Sequence, residues 1–145
     1  MNCTPVRVEY TGGIPANNVE TALFNSVIAF PGPNGHRGRG CMGNYGFSAL
    51  QVTLNGDQNN NNTVSLYRSD VSPVGAPGTD AEWELVETLA TVDFTSSAVA
   101  RLQFNIEGFS AFALTFLDGT TVQGAFSADI TLSFDKSNVA SPFAI

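Results

Sequence analysis

The sequence predicts an all-β domain: an antiparallel two-sheet sandwich of jelly-roll type, with about eight strands and little or no helix. Three segments carry this prediction. In residues 101–107, Leu102, Phe104 and Ile106 alternate with Arg101, Gln103, Asn105 and Glu107, which is the two-residue period of a half-buried strand. The same period returns in Phe112, Leu114 and Phe116. It returns again in Val122, Gly124, Phe126, Ala128, Ile130, Leu132 and Phe134. Connections between the apolar runs are too short for helical crossovers, so the sheets are expected to be antiparallel.

From the N-terminus, Pro5 to Tyr10 reads as a short strand ending at the turn Gly12-Gly13-Ile14-Pro15. Val19 to Phe30 fits two patterns. Asn18 suits the cap of a short helix carrying Leu23, Val27 and Phe30, whereas Ala22, Phe24, Ile28 and Phe30 suit a strand covered on both faces, the preferred assignment. Residues 31–40 hold too many breakers for a regular element and read as a long exposed loop or arm. Leu50, Val52 and Leu54 mark a strand ending at Asn55-Gly56-Asp57, and Val64 and Leu66 open the next, so a hairpin through the Asn-rich loop is expected. Ser72 to Asp80, with two prolines and two glycines, forms a second long loop. After Trp83 and Leu85 the apolar phase shifts by one residue to Val86, Ala90, Val92 and Phe94, the mark of a β-bulge or bend near Val86. Turns at Thr95 to Ser97, Glu107 to Ser110 and Asp118 to Thr120 separate the rest. Val122 to Phe134 would span about 40 Å if extended, too long for an ordinary strand, so a kink at Gly124 or an extension beyond the domain is expected.

A chain of 145 residues is long enough to bury about 70% of its unfolded surface in one core. It divides into an N-terminal arm with a Gly/Arg-rich loop, residues 1–44, partly packed on the body, and a sandwich body, residues 45–145, that ends in an apolar tail. Only 13% of residues are charged, about half the usual share, so Asn, Ser, Thr and Gly must build the surface. That exterior suits a protein packed against neighbours or placed outside a cell. A net charge of −7 with six basic residues argues against nucleic acid and against an anionic membrane as partner. The N-terminus has neither the basic start nor the apolar stretch of a signal peptide, and no apolar run is long enough for a membrane helix. Synthesis in a cytoplasm without signal-dependent export is expected.

No nucleophile elbow, phosphate loop or dinucleotide fingerprint occurs, and the one histidine, His36, has no neighbouring acid and nucleophile to make a triad. Catalytic residues, metal and cofactor are therefore all assigned as none. Cys3 and Cys41 match no zinc spacing; a disulfide pinning the N-terminal segment and two unpaired thiols both remain open, the second favoured without a secretion signal. Asp57 to Asn61 places oxygen ligands at alternate positions, as in a calcium loop, but Arg68 stands where the closing Glu belongs, which leaves a polar loop tip. Trp83 and Tyr67 suit a sugar-stacking platform, although the phase of Trp83 with Leu85 places it in the core. Arg37 and Arg39 beside His36, among glycines, suit docking on an acidic neighbour, because guanidinium forks pair with carboxylates across interfaces. Phe143 and Ile145, apolar residues following Pro142, suit burial against another subunit. These five are the candidate partner-binding residues.

Residues 45–134, through Leu50-Gln51-Val52-Thr53-Leu54, Val64-Ser65-Leu66-Tyr67-Arg68-Ser69-Asp70, Trp83-Glu84-Leu85-Val86 and Ile106-Glu107-Gly108-Phe109, resemble the small β-sandwich structural proteins of tailed bacteriophage particles, head decoration proteins above all. The resemblance implies a non-catalytic virion protein that stabilises the capsid by bridging subunits of the shell. Its partners would be the major capsid protein, or another virion protein, and copies of itself in a homo-oligomer. The arm and loops would grip the lattice. The other reading is a carbohydrate- or receptor-binding module of a tail or fibre, with Tyr67, Tyr45 or the Asn-rich loop around a groove.

Overall fold

The computed structural model describes residues 5–29, 48–56, 62–92, 94, 99–118 and 125–133. Among them are eight strands and one turn of helix: β1 (Val6–Glu9), β2 (Thr21–Asn25), α1 (Ser26–Ala29), β3 (Ala49–Asn55), β4 (Asn62–Ser69), β5 (Glu84–Val92), β6 (Val99–Asn105), β7 (Ala111–Asp118) and β8 (Ser127–Ser133). One sheet has the order β1-β8-β3-β6 and the other β2-β7-β4-β5, with antiparallel neighbours throughout. The pairs are nested: β1 with β8, β2 with β7, β3 with β6, β4 with β5. Successive pairs fall in alternate sheets, so the chain is one long ribbon, doubled back between β4 and β5 and rolled into two layers. That is jelly-roll topology, with its paired Greek keys. Two of the eight strands come from the first forty residues: β1 is an edge of one sheet and β2 an edge of the other.

Alternation dictates the core. Leu50, Val52 and Leu54 of β3, Phe104 of β6 and Ala128, Ile130 and Leu132 of β8 face Val64 and Leu66 of β4 and Phe112, Leu114 and Phe116 of β7 across the two layers, all buried. Phenylalanines fill the gap between sheets: Phe24 stacks on Phe112 at 5.6 Å between centroids, and Phe116 lies 4.7 Å from Phe126. The outer face of the first sheet is polar. There Arg7 pairs with Asp129 at 2.8 Å and Glu9 at 3.2 Å, exposed contacts that add little stability.

Three sequence expectations change. β3 and β4 form no hairpin; they lie in different sheets, and the intervening connection crosses from one layer to the other. Val19 to Phe30 is not one strand. A bulge at Leu23 turns both Leu23 and Phe24 inward; β2 then stops at Asn25, whose Oδ1 accepts the Val27 N–H at 2.9 Å and opens α1, leaving Ile28 exposed. Asn25, not Asn18, is therefore the cap; Asn18 has a positive φ of 61°. The described part of the long alternating segment is a seven-residue strand, β8, between β1 and β3; Gly124, where a kink is expected, lies outside the described residues. The shift at Val86 is a bulge, as expected: Leu66 pairs with Glu87 and Tyr67 with Leu85, leaving Val86 as the extra residue. Among the described residues no helix is long and apolar enough to cross a membrane.

Candidate contact surface

β7 is buried along both faces, an unusual feature for a sandwich strand. Its outward residues Ala111, Ala113 and Thr115 are small; Trp83, at the end of the connection between β4 and β5 (residues 70–83, the cap), packs on the two alanines, and Glu20 meets Thr115. The Asp80 carboxylate holds this cap together, accepting the Gly75 N–H and the Glu82 N–H, each at 2.9 Å. Trp83 is 6% exposed; its indole N–H donates to the Gly75 carbonyl at 3.0 Å, and its ring packs with Tyr67, Ala111, Ala113 and Val27. A second core thus lies outside the second sheet.

Polar side chains beside the cap bind one another, with Glu20 itself exposed. Glu20 Oε2 accepts hydrogen bonds from the Tyr67 hydroxyl at 2.5 Å and the Thr115 hydroxyl at 2.6 Å. Burial, then the adjacent Glu20 carboxylate, pushes the Tyr67 phenol up to about 12. Gly78, with φ of 93°, lies against the same carboxylate, where a Cβ would collide with Oε1.

Outside the cap the surface mixes apolar and acidic groups. Val71, Val74, Leu85 and Val86 are four of the seven large exposed apolar residues among those described. Beside Val71 runs a shallow groove of about 340 Å³ lined by Arg68, Ser69, Asp70, Glu82 and Glu84. Arg68 crosses it, bonded to Glu84 at 2.6 Å and placed 5.7 Å from the Phe109 ring centroid. A partner offering apolar side chains and cations would match this end of the sandwich.

The sequence-derived contact residues His36, Arg37, Arg39, Phe143 and Ile145 lie outside the described residues, as do Cys3, Cys41 and Asp57 to Asn61. Trp83 and Tyr67 are core residues and offer no open face to a sugar. The Glu20–Tyr67–Thr115 cluster had no sequence signal, since its members are 47 and 95 residues apart.

The fold defines the chain as a jelly-roll β-sandwich. No protein-family model matches it, and no curated protein matches its sequence. Among solved structures, PRD1 vertex protein P5 has a similar fold, with a TM-score of 0.50 and 10% identity over 93% of this chain and 99% of that one. A chain of the disulfide-linked pili of Bacillus endospore appendages aligns over 91% of this chain and 87% of that one, with 14% identity and a TM-score of 0.42, too low to carry an argument.

Proposed function

We propose that this chain is a virion structural protein that binds a preassembled shell and stabilises it by bridging subunits. The observation that carries the reading is the division of labour on the surface. Glu20, Tyr67, Asp80 and Trp83 are consumed by internal hydrogen bonds, whereas Val71, Val74, Leu85 and Val86 stand exposed beside Asp70, Glu82 and Glu84. Such a surface suits docking, and the reading includes no catalysis and no cofactor. A jelly roll shared in fold with a protein described as a vertex protein supports it by analogy. The partners are the major capsid protein, or another virion protein, and further copies of this chain; the site of action is the virion. For glycan binding, Tyr67 and Trp83 are buried, while Tyr45 and the Asn-rich loop lie outside the described residues.

In this reading the sandwich is the rigid body, and His36, Arg37, Arg39, Phe143 and Ile145 make contacts. The double variant Arg37→Ala/Arg39→Ala should lower occupancy on purified particles at least tenfold, given about 1.5–3 kcal/mol for each charge-assisted hydrogen bond lost. Its thermal midpoint should match the parent's. Unchanged occupancy removes the two arginines from the contact.

A further inference from the structure

The exposed valines of the cap stand beside carboxylates that the fold does not use. Glu82 and Glu84 are two residues apart, and Trp83 between them turns into the second core, so both acidic side chains lie on the outer side. With Asp70 they line the groove next to Val71, itself half exposed. Arg68 binds Glu84 at 2.6 Å, whereas the Asp70 and Glu82 side chains have no hydrogen-bond or ion-pair partner among the described residues. Three carboxylates against one guanidinium leave an excess of negative charge beside an apolar patch. A matching occupant brings two cations and some apolar surface.

The chain itself carries one such segment. Of its six basic residues, Arg7 and Arg68 are held in ion pairs, and Arg37 and Arg39 alone stand two apart, separated by Gly38 and followed by Gly40, Cys41 and Met42. Laid out extended, residues two apart project to one side about 6.6 Å from each other. Glu82 and Glu84 are spaced by the same two-residue step. The fold also brings both attachments of this segment to the groove's end of the sandwich. Residues 30–47 run between Ala29, the last residue of α1, and Ser48. Ser26 of α1 accepts the Phe112 N–H at 2.9 Å, and Phe112 pairs with Arg68. The Ser48 carbonyl accepts the Ile106 N–H at 3.0 Å; Phe109, whose N–H donates to the Ile106 carbonyl, holds its ring 5.7 Å from the Arg68 guanidinium.

We infer that residues 37–42 of a second copy of this chain occupy the groove, with Arg37 and Arg39 of that copy paired to Asp70 and Glu82 and its Met42 against Val71. Because segment and groove belong to one end of the sandwich, a two-fold axis beside that end lets each copy fill the groove of the other. The contact is then isologous and made twice. Charge selects it: copies of net charge −7 repel, and this contact joins them through unlike charges.

This inference rests on the self-association in the proposed function and names the groups that make it. The test is sedimentation of the full chain over a concentration series with two charge-reversed variants, Asp70→Lys/Glu82→Lys and Arg37→Glu/Arg39→Glu. Asp70 and Glu82 are exposed, so reversing them should leave the thermal midpoint near the parent's. The parent should dimerise, less tightly as salt rises. Each variant alone should dimerise at least tenfold more weakly, since two charge-assisted pairs are lost from each groove. Mixed in equal amounts, the two variants should associate with each other, because every segment then faces a groove of opposite charge. A parent monomeric at all concentrations overturns the inference. So does a dimer indifferent to both reversals, which would leave self-association and the virion reading standing through another surface. Failure of the mixture to associate, with each variant weakened by itself, overturns the exchange between copies. Absence of the chain from virions, with the mixture still pairing, would count against the virion reading alone.

Discussion

At Gly56 a single hydrogen separates a packed corner from a collision. A Cβ built there would strike the ring of Phe94, which is almost wholly buried. Gly56 follows β3 and Phe94 follows β5, so the two paths that cross between sheets touch at this point. Gly56→Ala should cost about 1–3 kcal/mol, the usual penalty for overpacking, read as a lower urea midpoint with an unchanged slope. Tyr67 gives a pH signature. Its phenol is held neutral in the folded chain up to about pH 12, whereas the unfolded chain loses that proton near 10. The unfolded state therefore binds fewer protons between those values, and stability falls as pH rises from about 10 to about 12. Urea midpoints across that range should fall more steeply for the parent than for Tyr67→Phe; equal slopes would contradict the raised phenol. At this scale the apolar half was legible, because the alternation of Leu102, Phe104 and Ile106 repeats locally. The Glu20–Tyr67 bond was not, since a polar contact spanning 47 residues leaves no periodic trace.

Elements were legible where one face alone decides them. β6 and β8 follow their alternation, and the bulge at Val86 announced itself as a phase shift. β2 and α1 were blurred because Val19 to Phe30 satisfies a strand period and a helical one, and the chain uses both in turn. The β3–β4 connection was misread because Asn55-Gly56 suits a tight turn as well as a crossing; the partner strand is chosen by long-range packing. The cap, residues 70–83, reads as a loop by its prolines and glycines, yet Trp83 anchors it over Ala111 and Ala113. Trp83→Ala should cost about 3–5 kcal/mol and open residues 70–83 to proteolysis while the strands stay protected. Cleavage no faster than in the parent would show that the cap does not depend on its tryptophan.

At the scale of the whole molecule, the described residues form a jelly roll of nested pairs with two outer faces. Among the described residues the outer face of the first sheet is polar, and that of the second carries the cap, with Val71, Val74, Leu85 and Val86 exposed. Thirteen acidic against six basic residues give the chain a net charge of −7, a balance that favours cationic over anionic segments as ligands. Fold class was legible from periodicity and turn spacing. The candidate contact surface at Val71, Val74, Leu85 and Val86 was not legible, because their exposure depends on how the cap folds, and the sequence-derived contact residues lie outside the described residues. The central claim is that this chain works as a repeated, non-catalytic contact unit of a particle. Its most direct test is quantitative mass spectrometry of purified virions from the source of the sequence. The account predicts the chain at a fixed, repeated copy number per particle; its absence from particles, with the chain recovered only as a free monomer, would contradict it.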